Sequence, residues 1–165
     1  MLDKFLSYIK EEKLFTQNDR VLLAVSGGMD SMAMVTLFLQ ANISIGVAHI
    51  NHHLRGNESD EDAEFIQKYC EEKKIPFYIF HIDPAQFASG NMHDTARKLR
   101  YEWLNKLAKE EKFNSIATAH HKDDVAETFM IHLMRGSGLE GLDGIASKYN
   151  NIIRPLLFAD RDDIL

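Results

Sequence analysis

Val21-Leu22-Leu23-Ala24-Val25-Ser26-Gly27-Gly28-Met29-Asp30-Ser31, continuing into Met32–Leu39, is the stretch that decides the fold. Val21–Val25 is a short apolar, β-branched-rich run, as a buried strand requires. Ser26–Ser31 is a tight polar loop, and the residues after it repeat their apolar positions at helical spacing. Adjacent Gly27 and Gly28 permit positive φ and let backbone N–H groups approach an anion. Ser26 and Ser31 add hydroxyls, and the helix that follows points its positive end at the same place. The loop therefore reads as a phosphate cradle. It is not a Walker A loop, because the GxxxxGK[ST] spacing and its lysine are absent. Asp30 is a carboxylate where phosphates would bind, which implies Mg²⁺ at Asp30.

The pattern extends outward in both directions. Strand-like runs at Val21–Val25, Ile43–His49, Phe77–Ile82 and Ser115–Ala119, with a fifth at Asn151–Arg154, alternate with helix-like stretches near 30–41, 60–74, 92–111 and 121–135. Another helix-like stretch, 2–12, comes first. Alternation with short connections predicts an α/β fold, a doubly wound, mostly parallel five-stranded sheet with helices on both faces. Ligands in such sheets bind beyond the carboxyl ends of the strands, and chemistry-bearing residues cluster at those ends.

After the second strand comes Ala48-His49-Ile50-Asn51-His52-His53. His49 and His53 have an i, i+4 separation, but on a strand end and a loop rather than a helix. Nucleotide or substrate contacts are the favoured reading there over a metal. In the helix after Asn91, the apolar stripe Met92, Ala96, Leu99, Trp103, Leu107 contains Arg100, roughly 40° from Ala96 on a helical wheel. A guanidinium on a buried face needs a carboxylate or a phosphate. Arg97 and His93 lie on the same side, so Arg97 or Arg100 is expected to contact phosphate or a transition state. The third constellation is Ala117-Thr118-Ala119-His120-His121-Lys122-Asp123-Asp124-Val125-Ala126-Glu127. His120, Asp124 and Glu127 fall near one face at a helix start. They suit Mg²⁺ or an ammonium group, while N-capping accounts for one of the two aspartates.

Two further segments have plainer readings. Glu58-Ser59-Asp60-Glu61-Asp62 fits a helix start, with Ser59 and Asp62 as a capping box. Gly136-Ser137-Gly138-Leu139-Glu140-Gly141 spells GxGxxG but follows a helix rather than a strand, so it reads as a loop rather than a dinucleotide site.

Composition narrows the setting. The chain has 165 residues, one domain's worth, and a net charge of −6. A domain holding nucleic acid mainly by phosphate neutralisation would be basic, so any such partner is gripped by a local patch or by another domain. One cysteine, Cys70, leaves no internal disulfide and no CxxC site. No apolar run suits a membrane span, the N-terminus does not read as a signal peptide, and a cytoplasmic setting is expected. The sequence leaves the oligomeric state open, a homodimer included.

The phosphate loop resembles that of the N-type ATP pyrophosphatases, which cleave ATP between its α- and β-phosphates. SGGMDS, HINHHLRG with Ser59 and Asp62, ARKLRYEWL, ATAHHKDDVAET, IHLMRGSGLEGLDGI and IIRPLL together resemble the tRNA(Ile)-lysidine synthetase family, from about Val21 to Leu157. The resemblance implies a Rossmann-like sheet of the adenine nucleotide alpha hydrolase type, and a ligase reaction. ATP would adenylate the ring carbonyl oxygen of the wobble cytidine of tRNA(Ile) with anticodon CAU. The amine of free L-lysine would then attack, releasing AMP.

Carried onto this chain, the resemblance implies that Ser26, Gly27, Gly28, Met29, Asp30 and Ser31 hold ATP, with Ala48 and His49 near the adenosine. Asp30, Arg97, Arg100, His120 and Asp124 would be catalytic, leaving open which arginine acts. Asp30 and Asp123 are the metal candidates, and lysine ligands are not separated from Mg²⁺ ligands. Family members continue into tRNA-gripping domains, so residues 1–165 are expected to be the catalytic domain alone, able to bind ATP and poor at modifying tRNA.

Overall fold

The computed structural model describes residues 1–51, 53, 57–82, 92–134 and 145–164. The GxGxxG segment and residues 52 and 54–56 of the histidine-rich loop lie outside them. Among the described residues, twelve elements follow in chain order: α1 (Leu2–Glu11), β1 (Arg20–Ala24), α2 (Met29–Gln40), β2 (Ser44–Asn51), α3 (Asn57–Lys73), β3 (Phe77–His81), α4 (Met92–Glu110), β4 (Ser115–Thr118), α5 (Lys122–Met134), β5 (Lys148–Tyr149), β6 (Ile152–Ile153) and α6 (Arg161–Ile164).

One sheet runs in the order β3-β2-β1-β4-β6-β5. The five strands expected from the sequence are mutually parallel, with Leu23 opposite both Val47 and Ala117. A sixth, two-residue strand adds an antiparallel edge, pairing Lys148 with Ile153 through a turn at Asn150, whose φ is 54°. Both β5 residues are exposed, so no apolar run betrays that strand; its signal is the turn, where Asn tolerates positive φ.

Side-chain alternation divides the core. Val21, Leu23 and Val25 turn to one face and meet Phe5 of α1, Phe38 of α2 and Ile66 of α3. Leu22 points the other way with Ala48, against Leu104, Leu107 and Ala108 of α4. Phe38, Leu22, Leu23 and Leu104 are fully buried, each worth about 1.5–3 kcal/mol relative to exposure. The centre of the α4 stripe is thus Leu104, with Arg100 one turn before it on the same face. Helix α3 starts at Asn57, ahead of the expected position, so Ser59 is inside the first turn and is not the N-cap of a capping box.

The chain leaves β1 for β2 and β3 on one side, then returns to place β4 on the other. The strand order reverses between β1 and β4, and the connections leaving their carboxyl ends part there. A crevice is left outside the sheet edge, the usual ligand position in such folds.

Candidate active site

The loop after β1 is held by its own side chains. Gly27 has φ +93°, a conformation L side chains rarely adopt. The Gly28 N–H donates to Ser26 Oγ at 3.3 Å, the Ser31 hydroxyl donates to the Gly28 carbonyl at 2.8 Å, and the two serine oxygens are 3.3 Å apart. Gly28 caps α2 with no side-chain bond, leaving the helix's first N–H groups directed at the crevice.

Two cavities meet at this loop. The first, about 340 Å³, lies over β1 and β2 and is lined by Val25, Ser26, Ala48, His49, Ile50, Asn51, Asp62 and Arg100 among others. The second, about 230 Å³, lies at the β1/β4 reversal and is lined by Ser26, Gly28, Asp30, Ser31, Arg100, Tyr101, Thr118, His120 and Asp124 among others. Ala24, Ser26 and Arg100 border both.

The histidines are set by their hydrogen bonds. His49 donates from Nδ1 to the Val25 carbonyl at 2.8 Å, which leaves Nε2 as the free ring acceptor. Burial pushes its pKa below the ordinary value, against the opposing effects of that bond and of Asp62. His120 Nδ1 is 2.8 Å from Thr118 Oγ1. Burial lowers its pKa first; Asp124 opposes this, and Arg154, Arg100 and Arg97 reinforce it. Both imidazoles are therefore biased toward the neutral form.

Most of the residues expected from the sequence are brought together. Ser26, Gly28, Asp30, Ser31, Arg100, His120 and Asp124 share one cavity, and Ala48 and His49 line its neighbour. Others sit apart. The Met29 side chain is 53% exposed and lines neither cavity. Arg97 is exposed, with its guanidinium 5.4 Å from the centre of the Tyr101 ring. Glu127 is exposed on α5. Asp123 does not line the second cavity: its carboxylate accepts the Arg161 N–H at 3.2 Å, tying α6 to α5, and lies 3.8 Å from His121 Nδ1. Asp124 accepts the His121 N–H at 2.8 Å, so it also closes the start of α5. Of the two aspartates, Asp124 thus closes the start of α5, as expected of one of them, while the backbone bond of Asp123 runs to α6.

Sequence reasoning missed three residues. His121 is buried, with Nε2 3.7 Å from Asp30 and 3.6 Å from Asp124. Its only sequence signal was its position beside His120. Asp62, read as a helix cap, lines the first cavity and would be 3.5 Å from a side chain placed on Gly27. His81, on the third strand, stacks on His53 with ring nitrogens 2.9 Å apart.

A donor set of Asp30 and Asp124 oxygens beside a phosphate loop has the hard-oxygen character that Mg²⁺ prefers. The crevice as a whole suits a nucleotide with its base over β2 and its phosphates on the loop.

Comparison with known proteins gives the family and the fold. The chain is 45% identical over 161 residues to a tRNA(Ile)-lysidine synthase of Porphyromonas gingivalis, covering 94% of this chain and 36% of that one. It is 43% identical over 169 residues to the tRNA(Ile)-lysidine synthase of Chlorobaculum tepidum, covering 98% and 51%. The chain thus spans about a third to a half of the length of these curated relatives. Among solved structures it superposes on the U34-tRNA thiolase NcsA of Methanococcus maripaludis with TM-score 0.76 and 22% identity, covering 98% of this chain and 62% of that one. An NH3-dependent NAD synthetase of Campylobacter jejuni gives TM-score 0.63 at 18% identity, covering 99% and 68%. These structural likenesses establish the fold. A family model of the PP-loop domain matches residues 2–165, and with that match the chain belongs to the PP-loop family of ATP-binding domains.

Proposed function

We propose that this chain is the ATP-using part of a tRNA(Ile)-lysidine synthase, a ligase joining L-lysine to the wobble cytidine of the CAU-anticodon tRNA(Ile). One observation carries the reading: a single cavity joins the phosphate loop to His120 and Asp124, with Arg100 on its wall. Relatives named for this activity match nearly the whole chain, which supports the same conclusion.

In this mechanism the ATP base lies over Ala48 and His49, and its phosphates rest on Ser26–Ser31. The cytosine carbonyl oxygen attacks the α-phosphorus, and the bond to pyrophosphate breaks. Arg100 faces the charge that builds on the α-phosphate. The lysine amine then attacks the activated ring carbon, and AMP leaves with the former carbonyl oxygen. The attacking amine loses a proton, which neutral His120 or the Asp124 carboxylate would take. Asp30 and Asp124 would hold Mg²⁺, which when bound neutralises phosphate charge. Asp124 also offers an anion for the lysine ammonium.

A sulfur-transfer reading lacks its groups in this chain. The single cysteine, Cys70, is buried in α3, and burial raises its thiol pKa to about 11.

The test is pyrophosphate release from ATP together with lysine incorporation, with and without the CAU-bearing tRNA, in a full-length protein carrying this domain and its Asp30→Ala variant. Release that requires the tRNA, with incorporation lost in Asp30→Ala, is the expected result. Release without incorporation would reassign the nucleophile, and ATP binding without turnover would remove the enzymatic reading.

A further inference from the structure

Positive charge continues beyond the phosphate loop along α4 and the segment after β6. Arg97 and Arg100 both lie against the Tyr101 ring, at 5.4 and 5.2 Å from its centre. Arg154, from the segment after β6, bears on the same place: its charge reaches His120 together with those of Arg97 and Arg100. Among the described residues, none of these arginines has a carboxylate within ion-pair distance. Among the described residues, the Arg154 side chain makes one hydrogen bond, from Nη1 to the Ala146 carbonyl. Its Nε is buried and, among the described residues, has no hydrogen-bond partner. Burial, with Arg97 nearby, works against its charge, and Tyr101 opposes that effect.

Like charges gathered without counter-charge, one with an unsatisfied buried donor, cost stability unless an anion completes them. Two anions are available to such a site, a phosphate of ATP and a phosphate of the nucleic acid. Position separates them. Arg100 lines both cavities and already faces the phosphate loop, whereas Arg97 and Arg154 line neither. Arg97 is exposed, one helical turn outward from Arg100. An anion meeting Arg97 and Arg154 therefore arrives from outside, past His120, rather than from the loop.

We infer that Arg154, with Arg97, forms a phosphate-binding arm beside His120 that holds a backbone phosphodiester of the RNA substrate next to the reacting base. The inference rests on the proposed tRNA reading for its ligand. It also shows how an acidic domain of net charge −6 can grip RNA locally. A guanidinium fork suits a phosphodiester, and such a contact positions the strand without reading its sequence.

The experiment measures binding of an anticodon stem–loop with CAU, and of one with a scrambled loop, across a salt series. ATP binding and thermal melting are measured on the same samples. The variants are Arg154→Gln, which keeps a donor toward Ala146, and the charge-retaining Arg154→Lys. In Arg154→Gln, RNA affinity is expected to fall about tenfold, and the salt slope by about one. Arg154→Lys should recover the slope, and ATP affinity should change far less than RNA affinity.

A fall in ATP affinity with RNA binding intact would assign the anion to ATP and overturn the inference. An unchanged salt slope, or a wild-type chain that binds neither loop, would overturn it too. A slope that drops equally for both loops, with no preference for CAU, leaves the arm standing and removes the tRNA(Ile) reading. A preference for CAU that survives Arg154→Gln, with its slope intact, does the reverse. Should Arg154→Gln fail to melt cooperatively, Arg97→Gln on the exposed face of α4 must show the same slope change.

Discussion

Asp30 at the start of α2 and His121 just before α5 meet across the strand reversal, with Nε2 of the ring 3.7 Å from the carboxylate. The same nitrogen is 3.6 Å from Asp124. One buried imidazole thus approaches both carboxylates. His121→Phe keeps the ring's bulk and removes its polar edge. It should destabilise the domain by about 1–3 kcal/mol, read as a lower urea midpoint at unchanged m-value. An unaltered midpoint would show that the carboxylates do not depend on the ring.

The phosphate loop depends on one backbone conformation. Gly27 has φ +93°, and a side chain there would also meet Asp62 at 3.5 Å. Gly27→Ala should cost roughly 1–2 kcal/mol locally, which the loop can avoid by opening. The expected result is at least a tenfold loss of ATP affinity by calorimetry, with the melting temperature shifted only slightly.

Acid should weaken the fold through His49 and His120, whose pKa values are lowered mainly by burial. In the unfolded chain both take up protons near the ordinary value of about 6.5; in the folded chain they resist until lower pH. The unfolded state therefore binds more protons in that window. Their contribution is fully present above about pH 6.5 and is lost as pH falls through the folded values. Urea melts at descending pH should show this loss, and His120→Gln should make the curve shallower. A curve identical to wild type would remove His120 from the account.

Cys70 is 1% exposed and its thiol pKa is pushed up to about 11. A thiol reagent at neutral pH should label it only as the domain unfolds. Labelling at the rate of a free thiol in native buffer would contradict its burial.

On the opposite face, Gly46 of β2 lies under the Phe113 ring, and an added Cβ would run into that ring. The ring cannot yield freely, because the Arg20 guanidinium is 4.6 Å above it and Tyr78 packs edge-on. Gly46→Ala should cost about 1–3 kcal/mol, with ATP affinity retained in the folded fraction.

The sheet was legible because its buried strands are contiguous apolar runs and its helices carry periodic stripes. Lys148–Tyr149 escaped because an exposed edge strand has neither. Within the site, Asp30 and Arg100 stood out through a local contradiction: a carboxylate in an anion loop, and a cation in an apolar stripe. His121, Asp62 and Arg154 carry no such mark. Their placement comes from contacts between distant parts of the chain, such as Asp62 of α3 against Gly27, and period and propensity do not encode those contacts. The Ser59 capping reading failed because the helix takes up residues before it, and terminal boundaries follow local competition for backbone donors rather than any single residue.

Arg100 is a wall of both cavities, and one guanidinium cannot turn fully to two ligands at once. Occupancy on one side therefore changes what the other side offers, and thermodynamic reciprocity requires the effect to run both ways with equal size. The two halves of the crevice thus share one charged wall, and Arg100 is the side chain through which each would sense the other.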